Sequence, residues 1–395
     1  MRRFARFVAL LSLIALSPPA FAAAPEMPPV LVGLDAEFGN RTSTADDAIK
    51  AGVDIAIDEI NRAGGVLKGR PLVLVTRDNR GVPARGVDNL RELAALPDMT
   101  ALITAKFSPV VLAQIDPAHQ LKLPILAAWS AADNIIDHAH QPSYTFRLSL
   151  RDGWVMPFLL RQAKARGFRQ VGLLVPNGAW GRSNRKAAAA HLAVDRVPNI
   201  VKTLGFEWSD SSLANEYLEL LKAGAEAVLF VGNEPEVALL IRDMTALPRA
   251  QWRPILSHWG VAAGDLRALA GPRLAEVDLV TVQTFSFIDH PSAKAQAVAA
   301  EARRKLQLAA AAPIPSPVGV AHGYDLTHLL ARAIEQAGST DRAAIRQALE
   351  RLGPYDGLVR RYAPPFTRDR HEALGPDQLF PARWRADGAI VRSAR

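Results

Sequence analysis

Asp133, Asp137, His138 and His140 are the one cluster in the chain whose types suit a metal ion. A helical metal site wants two histidines four residues apart on one face, and this spacing does not supply them. A polar loop rich in turn formers accounts for the cluster better, so no metal and no cofactor is expected. Catalysis leaves motifs that can be sought directly. The chain has no nucleophile elbow, no zinc-ligand helix, no phosphate loop and no dinucleotide fingerprint. It contains no cysteine, which removes thiol chemistry, disulfides and the lipid-bearing cysteine that tethers many exported proteins. An enzyme is therefore not expected. Three tryptophans stand out instead. Trp180 and Trp259 are each followed by glycine in a segment after an apolar run, which suits the wall of a cleft better than a core, and Trp129 closes another such run. His322, His328 and His371 are expected on helix surfaces or in loops.

The segments around these residues alternate between strand and helix patterns. Val30–Leu34 reads as a buried strand, and Thr44 can cap a helix whose first turn carries Asp46 and Asp47. Ile49, Val53, Ala56 and Ile60 give that helix one apolar face, and Gly64-Gly65 stops it. Leu72–Val75 then completes a right-handed βαβ unit with parallel strands. Helix 84–96, strand 100–104, helix 110–119 and strand 124–128 continue the series. A second series on the same plan runs from helix 153–166 to strand 254–256. An extended run at 279–285 follows, then helices at 292–308, 319–337 and 341–352, with Ala309–Ala312 read as further helix. The fold class is α/β, with two doubly wound parallel-sheet lobes. The helical tail must return to one of them, so several crossings form a hinge and a cleft between the lobes. The expected division is 28–148 with 286–355 in lobe 1, and 149–285 with 356–395 in lobe 2.

Bulk properties narrow the partners. The chain has 395 residues and a formal charge of +8, but its arginines are scattered and no basic tract interleaves with aromatics. Nucleic acid is not an expected partner. Arg2, Arg3 and Arg6 precede an apolar stretch too short to span a bilayer, followed by Ala20-Phe21-Ala22. This pattern predicts a cleavable signal peptide over residues 1–22 and a free protein in an extracytoplasmic space, without a lipid anchor.

Taken together, the signal, Val32-Gly33-Leu34 with Ala51–Gly65, Leu123-Pro124-Ile125-Leu126 leading to Ser130, Tyr144–Arg147, Val171–Gly181, Ala227–Glu236 and Gly323-Tyr324-Asp325 carry a likeness. The chain resembles the type I periplasmic solute-binding proteins, in the branch that feeds leucine, isoleucine and valine or amides to ABC importers. The resemblance implies a receptor that closes on a small carboxylate-bearing ligand: a branched-chain or aromatic amino acid, an amide or an aromatic acid. It further implies ABC permease subunits as partners and a monomeric receptor. A ligand-sensing receptor coupled to a signalling partner is the alternative.

The resemblance also places a site. The family's carboxylate-binding turns fall on Phe107-Ser108-Pro109 and Trp129-Ser130-Ala131-Ala132, both ahead of helical segments whose free N–H groups favour an anion. Its aromatic on the opposite lobe falls on Trp180, and its second-lobe loop on Asn233-Glu234. The acid that neutralises a ligand ammonium in amino-acid binders is replaced by Trp259, and Glu37 or Glu234 remain to take its place. A desolvated ammonium without a partner is costly. Phe38, Phe107 and the three tryptophans suit a flat or apolar ligand body, such as an aromatic carboxylate.

Overall fold

The computed structural model describes residues 27–40, 43–288 and 290–393; the expected signal peptide lies outside them. The first βαβ unit forms as its pattern requires, except that Thr44 stands at the helix start without a side-chain cap bond, its hydroxyl meeting that of Ser316 at 3.0 Å instead. Strand β1 (Val30–Ala36) leads to helix α1 (Ala45–Arg62) and strand β2 (Leu72–Asp78). Helix α2 (Pro83–Ala94), strand β3 (Met99–Thr104), helix α3 (Ser108–Gln120), strand β4 (Ile125–Ala127) and strand β5 (Thr145–Arg147) complete the first lobe's sheet. Its order is β2-β1-β3-β4-β5, parallel throughout.

The second series comprises α4 (Asp152–Ala165), β6 (Gln170–Pro176), α5 (Ala179–Leu192), β7 (Asn199–Phe206), α6 (Ala214–Lys222) and β8 (Ala227–Phe230). It continues through α7 (Glu234–Thr245), β9 (Ile255–Ser257), α8 (Leu266–Ala270) and β10 (Leu279–Gln283). The tail contains α9 (Ala293–Lys305), α10 (Pro317–Ala337) and α11 (Arg342–Leu349). A short hairpin, β11 (Tyr355–Asp356) with β12 (Arg361–Tyr362), precedes β13 (Phe380–Trp384) and β14 (Ile390–Arg392). The second sheet has the order β14-β13-β10-β9-β8-β6-β7, with only β13 and β14 antiparallel.

The tail is what ties the lobes together. After β10 the chain leaves the second sheet, and α9 and α10 pack against α1 of the first lobe. The contact between α1 and α10 is made backbone to backbone. A Cβ on Gly52 would stand 2.1 Å from the Val320 carbonyl oxygen, and one on Gly323 would stand 2.4 Å from that of Ile49. Farther on, His371 accepts from the Arg147 N–H at 2.8 Å and Arg147 from the Ala373 N–H at 2.9 Å, extending β5 before the chain returns to the second sheet. Three crossings between sheets result: after β5, after β10 and before β13.

Three expectations fail. Strands β13 and β14 were not anticipated. Ala309–Ala312 is turn and coil: α9 ends at Lys305, Gln307 takes a φ of 55°, and Pro313 follows. His322 is fully buried on the inner face of α10, because its two ring nitrogens meet the Ala128 carbonyl at 2.8 Å and the Thr284 hydroxyl at 3.0 Å. Burial pushes its pKa down to about 4, so it is neutral. Among the described residues, no helix is long and apolar enough to cross a membrane.

Candidate functional site

The carboxyl ends of the parallel strands in both lobes meet at one place, where open α/β sheets hold ligands. From the first lobe come Lys106, Phe107 and Ser108 after β3, and Trp129 and Ala131 after β4. From the second come Trp180 after β6, Asn233 after β8, and Trp259 after β9. They enclose a cavity of about 20 Å³, room for roughly one water. The rings of Trp129 and Trp259 face each other across the lobes with centroids 4.8 Å apart and planes inclined by 33°.

Glycine permits this closeness. A Cβ on Gly260 would stand 2.3 Å from the Gly232 carbonyl oxygen and 2.9 Å from the Trp180 ring. The glycine after Trp259 is thus a packing requirement of the site wall. Trp180 begins α5 instead of sitting in a loop, and its indole N–H donates to Asp152 Oδ1 at 3.1 Å. His258 Nε2 meets the same oxygen at 3.1 Å, and its ring stands edge-on to Trp180. Asp152 opens α4 directly after the first crossing, so one buried carboxylate joins the hinge to the wall of the cavity. Trp208 extends the aromatic cluster, parallel to Trp180 at 6.4 Å and edge-on to Phe107 at 5.9 Å.

Of the residues expected at the site, Ser108, Trp129, Ala131, Trp180, Asn233 and Trp259 are brought together around the cavity. Phe38, Ser130 and Glu234 do not line it. Phe38 packs half-buried against the core. The Ser130 hydroxyl donates to the Ala105 carbonyl at 2.6 Å, tying β3's end to β4's. Ser108 opens α3, and its hydroxyl accepts from the Ala132 N–H at 3.4 Å. Segment 129–132 leads into a single 3-10 turn, not an α-helix.

Glu234 is fully buried at the start of α7, and neither carboxylate oxygen has a hydrogen-bond partner among the described residues. Burial pushes its pKa up to about 7 against the pull of Lys106. The nearby Ser43 hydroxyl also lowers it, but that group's one proton is directed to the Ala263 carbonyl at 3.1 Å. Lys106 itself donates to the Ser43 hydroxyl at 2.5 Å and lies 3.6 Å from Glu37. Asp46 accepts from the Glu37 and Lys106 backbone N–H groups, and burial raises it to about 6. Lys106 and the Asp152–His258 pair had no signal in the sequence: each is a single polar residue beside an apolar run.

The suggested metal ligands are taken up by other partners. Asp133 accepts from Arg151 at 2.7 Å, and Asp137 also pairs with Arg151. His138 meets the Thr145 hydroxyl at 2.7 Å and His140 meets Asp116 at 2.6 Å. Among the described residues no group of three such side chains is placed to hold a metal.

This geometry has a counterpart among known proteins. The sequence pattern described as "Periplasmic binding protein" matches residues 32–389. The chain belongs to that family. The family binds solutes and is not one of enzymes, and its members are exported to the periplasm. This periplasmic binding protein is 25% identical over 342 residues to the Leu/Ile/Val-binding protein homolog 3 of Brucella melitensis, covering 84% of this chain and 85% of the relative. A periplasmic binding protein type 1 from Bordetella pertussis Tohama I shares its fold with a TM-score of 0.81 at 19% identity, over 92% of this chain and 99% of that one. An ABC-transporter solute-binding protein from R. palustris, solved with 4-hydroxybenzoate, superposes with a TM-score of 0.76 at 14% identity, over 92% and 95%. The resemblance read from the sequence is thus correct for family and fold.

Proposed function

We propose that this periplasmic binding protein closes on a small carboxylate-bearing organic ligand with a flat or apolar body and delivers it to an ABC permease. The observation that carries the reading is the cavity walled by Trp129 from one lobe and by Trp180 and Trp259 from the other. The 4-hydroxybenzoate in the R. palustris protein supports an aromatic acid as the guest, and the name of the Brucella relative supports an aliphatic amino acid. The replacement of the ammonium-binding acid by Trp259 favours the former. The first lobe holds the anionic end near Ser108 and the N-terminus of α3, and the second covers the apolar part. Closure favours whichever guest binds the closed shape better than the open one.

The receptor acts as a monomer after removal of residues 1–22. We infer lobes of 28–148 with 286–355 and of 149–285 with 356–395, and the run of 370–373 beside β5 favours placing the last boundary nearer Gly375. A thermal-shift screen of the mature protein against amino acids, amides and aromatic acids tests the function. A ligand at a hundred times its dissociation constant adds about 2.7 kcal/mol. Stabilisation by a member of this panel is expected; a flat response across all three classes contradicts the reading.

A further inference from the structure

We propose that Lys106 reads the anionic group of the ligand, and that the site takes a carboxylate carrying no ammonium. The inference rests on the binding function above and narrows its substrate class. Among the described residues lining the cavity, Lys106 alone is charged, and none is acidic. The carboxylates around Lys106 do not line the cavity, so an ammonium brought there would lose its hydration without direct contact with one, whereas a carboxylate meets a cation. Lys106 has N–H groups to give. The Ser43 hydroxyl takes one of its three, and Glu37 at 3.6 Å stands beyond hydrogen-bond range. Its side chain is only 9% exposed, so its attraction for an anion is little screened by water.

The groups around Lys106 explain how a second negative charge is accommodated. The carboxylates that act on it are Glu37, Asp46, Asp47, Glu234 and Glu236. Among the described residues neither oxygen of buried Glu234 has a hydrogen-bond partner, so Lys106 is its chief compensation, with a lesser pull from its own backbone N–H and from Ser43. When a ligand carboxylate draws on Lys106, Glu234 loses part of its compensation and takes a proton from solvent. Binding an anion therefore takes up a proton near neutral pH, and binding a cationic group would release one. Phe107, Trp129, Trp180 and Trp259 supply the remaining contacts, which are apolar and flat.

The test is calorimetric titration near pH 7 with two matched sets, in buffers of different ionisation heat. One set is benzoate, 4-hydroxybenzoate, phenylacetate and 3-phenylpropionate; the other is phenylalanine, tyrosine and leucine. The expected result is binding within the first set, at least about thirtyfold tighter than in the second, with proton uptake. Lys106→Met should weaken the best acid by a comparable factor, and Lys106→Arg should restore most of it. The Lys106→Met, Glu234→Gln double variant removes both charges at once, so a loss that persists there reflects recognition and not an uncompensated buried acid. Tighter binding of an amino acid, proton release, or unchanged affinity in the double variant overturns the proposal while leaving the binding function intact. Failure of both sets and of the wider panel overturns both.

Discussion

At the scale of single residues, the site is a cation and a group of indoles held by polar groups behind them. Trp180 is oriented by Asp152, which also holds His258. Trp180→Ala removes a wall of the cavity and should weaken whichever ligand binds by about tenfold; titration of the variant checks it, and unchanged affinity removes Trp180 from the site. Buried acids set a pH dependence. Asp35, Asp46 and Asp325 are raised to about 6 and Glu234 to about 7, each chiefly by burial. The folded state holds these protons more tightly than the unfolded chain, so the stabilisation is complete below about pH 4 and is lost as pH rises to 7. His322 and His138, both depressed to about 4, add stability as pH rises to about 6.5 and oppose the acids there, so the melting temperature of the unliganded protein should fall from about pH 6.5 to pH 8. Glu234→Gln should flatten the upper part of that fall, as melting curves of both proteins would show. Trp180 and Trp259 were legible because Trp-Gly after an apolar run is unusual. Lys106 was not, since a lone lysine after a strand looks like any solvated one; its burial arises only when the Ser43 and Glu234 segments come down over it.

At the scale of elements, the parallel units were legible, because most of their strands are apolar runs bounded by turn residues and alternate with helices that carry an apolar face. The end of the chain was not. β13 alternates Phe380, Ala382 and Trp384 with Pro381 and Arg383, but a proline inside so short a run argues against a strand, and β14 is only three residues long. They form because the edge of β10 is open to antiparallel pairing after the last crossing. The contact of α1 with α10 is specified by small residues. Gly323→Ala places a methyl carbon against the Ile49 carbonyl and should cost about 2 kcal/mol, measured by urea unfolding. Unchanged stability would mean the two helices can move apart without loss.

At the scale of the whole molecule, the crossings are joined by a buried ionic network. Arg147 is fully buried, donates to the Ala132 carbonyl at 2.9 Å and pairs with Glu372, while Arg151 pairs with Asp133, Asp137 and Glu372. It therefore ties the first crossing to the segment that makes the third. Arg147→Met leaves Glu372 half-compensated and should lower stability by about 3 kcal/mol, read from chemical unfolding. The cavity of about 20 Å³ admits one water and no organic acid, so the lobes must separate before a guest enters. Small-angle scattering of the mature protein, with and without the ligand found by thermal shift, measures that movement most directly. A smaller radius of gyration in the presence of ligand is the expected result; superimposable curves under conditions where the ligand raises the melting temperature would contradict closure of the two lobes around it.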